Sequence, residues 1–261
     1  MKPDLFTAVM KTIGSTQDEK IRTAIDSALD TLNEKANQNA EATINNALEA
    51  FSKAKSAHTE NMLKLNDIDA AITRSEKERQ NALNESAEAE QNWRTRFREL
   101  RGMMTPELKA EHSQRVAGRE LAEEFTALID ELNDDKASTM LAACTSGDKY
   151  VGTHFTVFSA YSRNEWAIVM KVIPPSLVRA FALRLRELEM KGEEHPHNVL
   201  IQELGENVLA QSRYYTFNMA QEPVISKIGL HRPALTGVDM KLYKSPVLRM
   251  ARAKELAQKK K

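Results

Sequence analysis

The stretch Asn92–Lys109, NWRTRFRELRGMMTPELK, decides how this chain folds. Trp93, Phe97 and Leu100 follow one another by steps of four and three, which places them on one face of a helix. Gly102 comes next as a stop in the C′ position, where a left-handed backbone suits a residue without a Cβ. Thr105 then offers a side-chain oxygen to cap a second helix. Pro106 stands at that helix's first position, where a missing N–H costs nothing. The stretch reads as a tight helical hairpin with antiparallel arms. Its packing is expected to rest on Trp93, Phe97 and Leu100, with Phe125 from the second arm.

Upstream, no glycine or proline occurs from Gln17 to Arg101, and the run is rich in Ala, Glu, Lys and Asn. Such a run reads as helix. Ile21, Ile25, Ala28 and Leu32 step by three and four. After a gap the same spacing resumes through Ile44, Leu48, Phe51, Ala54, His58, Met62, Leu65, Ile68 and Ile72. This stripe has the width of a coiled-coil seam. Between Glu34 and Thr43 it holds only Ala among Asn and Gln, which predicts a break, a hinge or a weakly ordered stretch. The segment 74–91 is strongly polar. Before the long run, residues 4–12 predict a short helix ended near Gly14, with Ser15 or Thr16 capping the next.

Downstream, the second arm is expected from Pro106 to about Ala143, its face carried by Leu108, His112, Arg115, Val116, Arg119, Leu121, Phe125, Leu128, Ile129 and Leu132, with Gly147 as its end. A more apolar helix follows over about 150–173, stopped by Pro174-Pro175. Two more helices are expected, over about 175–191 before Gly192, and from Pro196 to about Met219. The segment Glu222–Tyr243, with its prolines, glycines and β-branched residues, reads as an extended arm. Ser245-Pro246 opens a last basic helix. No alternating strand pattern and no repeat is present. The fold class is all-α: an elongated long-helix hairpin or bundle with an extended C-terminal arm. Four regions are expected: 1–48 as a helical extension, 49–147 as the hairpin strut, 148–221 as a bundle that self-associates, and 222–261 as arm and basic helix.

Bulk properties narrow the function. The 261 residues are 41% hydrophobic and 28% charged, with only 9 glycines and 8 prolines, so chain reversals are few and elements long. The formal net charge is zero, and no global field would hold the chain on DNA or an anionic membrane. The charge is unevenly spread. Asp239–Lys261 carries eight Lys or Arg against two acids, a balance of +6, whereas residues 1–50 carry five basic and eight acidic groups, a balance of −3. The single cysteine, Cys144, fits a reducing cytoplasm. No run approaches the roughly 18 apolar residues of a membrane helix, and Asp4 interrupts any signal-peptide design.

No catalytic constellation emerges. There is no glycine-rich phosphate loop. His195-Pro196-His197 is the one close histidine pair, and the intervening proline bars a helix-face metal pair. Cys144 lacks a neighbouring base and reads as a small buried residue. Carboxylates lie on solvated helix faces. The basic tail Lys241–Lys261 admits three readings: a solvated helix, a charge-based phosphate contact, or a contact with an acidic protein patch. The aromatic stripe Phe155, Phe158, Tyr161 and Trp166 reads as core or as a subunit interface, where aromatics are enriched.

Longer strings then carry a resemblance. AHTEN at Ala57–Asn61, WRTRFR at Trp93–Arg98, the ELK…H…RVAGRELAEE pattern from Glu107 to Glu124, and EPV at Glu222–Val224 followed by Gly229-Leu230 resemble the capsid size-determination (Sid) proteins of P-four-type satellite bacteriophages. The likeness spans roughly residues 50–235, keeps its order, and is loose over 150–215. Residues 1–48 exceed the family's usual start. The resemblance implies an elongated helical external scaffold with no cofactor and no enzymatic activity. Such proteins lie on capsid hexamers in the host cytoplasm, join one another into a cage, redirect a helper phage's major capsid protein into a smaller procapsid, and leave before the mature virion. It implies two partners, the helper's major capsid protein and further copies of the chain, including trimer contacts, and neither membrane nor specific nucleic acid. Self-association is then expected through Phe155, Phe158, Tyr161, Trp166, Ile228 and Leu230. Polar capsid contacts are expected through Arg94, Arg96, Arg98, Arg115 and Arg119. The alternative is a helical regulatory module that binds a host or helper protein to modulate transcription; a third reading is a DNA-packaging factor using the basic tail.

Overall fold

A computed structural model describes residues 19–259, and the side chains of Ile21 and Ile25 are not among those described. The short helix expected over 4–12 and the cap at Ser15 or Thr16 lie outside this range. The chain is all-α: α1 (Glu19–Glu99), α2 (Pro106–Lys171), α3 (Pro175–Met190), α4 (Pro196–Arg213), α5 (Ile225–Ile228), α6 (Met240–Lys244) and α7 (Pro246–Lys259), with a 3-10 turn at Met219–Gln221. No strand occurs among the described residues. The described residues form two compact units, one of 19–51 with 153–232, the other of 52–152 with 233–259.

The second unit is the hairpin. Cross-helix pairs run in opposite directions along the two arms: His58 with Ser146, Asp69 with Lys136, Ser86 with Arg115, Glu90 with Arg119 and Arg96 with Glu111. The arms are therefore antiparallel over nearly all of residues 52–99, a rod of about 70 Å at about 1.5 Å per residue. Every residue of the predicted stripe from Ile44 to Ile72 is buried or half-buried. The seam then continues through the polar stretch on Ser75, Ala82, Ser86 and Ala89, all buried. Small side chains let the arms approach closely there. A Cβ added to Gly118 would sit 3.0 Å from Ser86 Cβ and 3.1 Å from the Ala82 carbonyl oxygen. The Ser86 hydroxyl donates to the Arg115 carbonyl at 2.9 Å, so its burial leaves no unmet donor.

The turn differs from expectation by one position. The Gly102 N–H donates to the Phe97 carbonyl and the Arg101 N–H to the Arg98 carbonyl, which is a Schellman motif. Arg101, at φ +50°, takes the C′ place and Gly102, at φ +83°, the C″ place. Thr105 caps α2 through Leu108 N–H at 3.3 Å.

Of the expected α2 face, Val116, Leu121 and Leu128 are exposed, because the two-helix seam is narrow and takes the line of Leu108, Ala122 and Ile129. Four further expectations are corrected. First, α1 passes unbroken through 34–43. Asn, Gln and Ala are all compatible with helix, and no glycine or proline interrupts them. Second, Gly147 does not end a helix: α2 runs from Pro106 to Lys171 without a stop. Gly147 makes room instead, since a Cβ there would meet Leu235 Cδ1 at 3.2 Å and Cδ2 at 3.3 Å. Third, α4 ends at Arg213, not near Met219. The aromatic and β-branched run Tyr214–Phe217 leaves the helix, with Tyr215 and Phe217 in edge contact, ring centroids 5.1 Å apart. Fourth, the arm is not simply extended, because it folds into α5 and α6.

That arm supplies much of the remaining core. In the hairpin unit Val238 and Tyr243 bury against Ala143 and Cys144, with Met62, Met140, Leu235 and Leu242 around them. Asp239 caps α6 by accepting from the Lys241 and Leu242 N–H groups. α7 is tied to α2 by Arg249–Asp148 at 2.7 Å and Lys259–Asp134 at 2.8 Å, with Leu256 buried. In the first unit Val224, Ile225 and Ile228 are buried, and the His154 ring lies 3.2 Å from the Gly229 carbonyl and 6.0 Å from the Phe51 ring. There α3 and α4 form a smaller hairpin, clamped where Arg184 donates to both carboxylate oxygens of Glu203, at 2.6 and 3.2 Å. The Glu187 carboxyl beside them is held down to about 2, by Lys191 first and then by Arg184.

Candidate protein interaction surfaces

The Cys144 thiol is fully buried, and burial pushes its pKa up, away from the thiolate a nucleophile needs. Among the described residues no group of His, Cys, Asp or Glu is placed to hold a metal ion. His195 and His197 are both exposed at the start of α4. Among the described residues no single helix is long and apolar enough to cross a membrane.

The end of the long hairpin is an aromatic and charged cluster. Trp93 stacks on Phe97 at 5.1 Å, and His112 lies 5.8 Å from it. The Arg115 guanidinium sits over the Trp93 ring at 5.0 Å and within 3.1 Å of the His112 ring nitrogen. Trp93, Phe97 and, further along, Phe125 are half-buried, whereas Leu100 is exposed in the turn beside Met103 and Met104. Of the five arginines expected to face a capsid, Arg94 and Arg119 share Glu90, Arg96 pairs with Glu111, and Arg115 is occupied by Trp93. Arg98 is exposed. The Arg96–Glu111 and Arg119–Glu90 pairs bridge the two arms, and Arg94, Arg96 and Arg119 all remain more than half exposed.

The first unit carries a second, more apolar surface. Of the residues expected there, Phe158, Tyr161, Trp166 and Leu230 come together around one groove of about 430 Å³. Phe155 is 70% exposed but is not in that lining, and Ile228 is buried in the unit's own core. The groove also takes Phe217 from the segment after α4, Ile225 from the arm, and two carboxylates, Glu165 and Glu222. Tyr161 donates to Glu222 at 2.8 Å. Burial first, and then that carboxylate, push the phenol up to about 12, so it stays a donor at any physiological pH. α3 and α4 add further uncovered apolar side chains, among them Val178, Leu183, Ile201 and Val208. Sequence reasoning did not single these out. Their signal was present: two short helices carry more apolar residues than a two-helix contact can cover.

No family model matches the chain. Glycoprotein 3 of Enterobacteria phage P4 is 27% identical over 211 residues, covering 78% of this chain and 86% of that protein. A solved structure described as the satellite phage P4 procapsid including size determination (Sid) protein contains a chain of similar fold. Its TM-score is 0.71 at 26% identity, over 82% of this chain and 94% of that one. In sequence the chain is thus similar to a phage P4 protein, and in fold to a chain of the P4 procapsid that includes the size determination (Sid) protein.

Proposed function

We propose that this chain is an external scaffold of a satellite phage, one that binds a helper phage's major capsid protein and redirects assembly toward a smaller procapsid. The observation that carries the reading is likeness over nearly the full length of a protein found in a P4 procapsid, in both sequence and fold. The physics supports it. A rod of about 70 Å with a continuous seam is a strut of defined length. A strut spanning neighbouring shell subunits penalises curvatures that do not match its length. The apolar groove and the outer faces of α3 and α4 supply the contacts between copies, and the hairpin carries contacts to the shell. Individually weak contacts, repeated over a symmetric lattice, act together through effective concentration. The scaffold works in the host cytoplasm on the outer procapsid surface and is lost on maturation, when the lattice it matches changes spacing. Catalysis has no part in this role.

The test is co-expression with the major capsid protein of a candidate helper, read as shell diameter by electron microscopy. Uniformly smaller shells than the capsid protein forms with its own scaffold are expected. Shells of unchanged size across the candidate helpers, with this chain left soluble, would overturn the reading.

A further inference from the structure

Two features remain unused by the fold: the acid-lined aromatic groove of the first unit, and the outer face of the basic helix α7. On one side α7 is fixed within its own unit by Leu256 and the ion pairs of Arg249 and Lys259. Its opposite side presents Val247, Met250, Ala251 and Lys254, at i, i+3, i+4 and i+7. Val247 is 69% and Met250 60% exposed, and Ala251 and Lys254 are exposed with them. A helix with a buried face has no folding reason to carry two large apolar residues on the other. That spacing is the anchor pattern of a helix laid in a groove.

The groove has the matching chemistry. Phe158, Tyr161, Trp166 and Phe217 give it aromatic walls, and Glu165 and Glu222 put negative charge in its lining. At about 430 Å³ it is too large for one side chain and suits the two or three that one helical turn inserts. Glu222 already accepts the Tyr161 hydroxyl, but a carboxylate has about four acceptor positions and keeps capacity for an ammonium. Aromatic faces attract the same cation.

We infer that α7 of one copy docks in the groove of another, with Val247 and Met250 seated on the aromatic walls and the Lys254 ammonium against Glu165 and Glu222. The inference rests on the self-association half of the scaffold reading and names its two faces. Because the faces differ, the contact is heterologous: each copy gives a helix and receives one. Such contacts propagate or close into rings, as a cage requires. The basic tail thereby has a protein target in place of nucleic acid.

Sedimentation velocity on the full chain, from about 1 to 100 μM and without any shell protein, tests this. The wild type is expected to shift to larger species with concentration. Lys254→Glu and Glu165→Lys should each weaken association about tenfold, as like charges now meet. Trp166→Ala should weaken it about thirtyfold, as loss of a central aromatic anchor does. All three positions are exposed, so the units still fold. Mixing Lys254→Glu with Glu165→Lys should restore association between the two variants to near the wild-type level. A wild type that stays monomeric, variants that associate as well as wild type, or a mixture that fails to recover would each overturn the inference. Shell diameter on co-expression is a separate readout. Small shells without solution association would leave the scaffold reading standing and remove this contact; recovered association without small shells would do the reverse.

Discussion

Gly118 and Gly205 both lie inside helices, yet alanine should stabilise only at Gly205. Alanine gains about 1 kcal/mol over glycine in a helix interior from backbone entropy alone. At Gly205 nothing beyond its own helical turn lies within 4 Å of the added Cβ, so the gain stands and Gly205→Ala stabilises the first unit by about 1 kcal/mol. At Gly118 the methyl would lie 3.0 Å from Ser86 Cβ and 3.1 Å from the Ala82 carbonyl oxygen. Comfortable carbon contacts are about 3.5–4.0 Å, and one of these neighbours is backbone, which cannot rotate away. Overpacking of this kind costs about 1–3 kcal/mol, so Gly118→Ala should destabilise the hairpin unit by about 0–2 kcal/mol net. The assay is urea unfolding followed by tryptophan fluorescence. A Trp166→Phe background leaves Trp93 to report the hairpin unit, and a Trp93→Phe background leaves Trp166 to report the other. With slopes of about 1–3 kcal/mol per molar urea, 1 kcal/mol moves the midpoint by about 0.3–1 M. If Gly118→Ala raises its midpoint as much as Gly205→Ala does, the close approach of the two arms through a small-residue seam is wrong.

Three further outcomes follow from the same geometry. Leu65 is 3% and Leu63 59% exposed, so Leu65→Ala should cost about 2–4 kcal/mol and Leu63→Ala under about 0.5 by urea titration; equal costs would refute the seam assignment. Burial holds the His58 imidazole below its ordinary 6.5, with a hydrogen bond to the Ala143 backbone pulling the other way. Above 6.5 both folded and unfolded forms are neutral and this contribution is fully present; below it the unfolded chain takes up a proton that the folded chain resists. The hairpin unit should therefore lose stability as pH falls from about 7.5 to 5.5, and His58→Gln should flatten that slope; an unchanged slope would count against it. The buried Cys144, its thiol pushed up, should react with a thiol reagent only on the timescale of unfolding, and prompt reaction in native buffer would contradict the packing of Val238 and Tyr243 over it.

The hairpin was legible because its residues advertise it. Trp93, Phe97, Thr105-Pro106 and the stripe from Ile44 to Ile72 are hydrophobic or conformationally specific side chains. The seam became invisible at Ser75, Ala82, Ser86 and Ala89, because small residues are buried there by close approach, which hydropathy does not register. Glycine serves two purposes with one letter, a turn or a close contact, and at Gly147 only the position of Leu235 tells them apart. The aromatic stripe Phe158, Tyr161 and Trp166 could be seen in sequence. Its assembly with Phe217, Glu165, Glu222 and Leu230 into one groove depends on how α4 ends and how the arm folds back, both of which are tertiary outcomes. The burial of Ile228 depends on the same fold-back: the arm turns into α5 and carries it inward.

A cryo-electron-microscopy reconstruction of the shells formed on co-expression tests the central claim most directly. The account predicts small shells with paired, antiparallel helical rods on their outer surface, joined to one another by a bound helix. Small shells with the outer surface bare, or with the chain's density inside the shell, would contradict it.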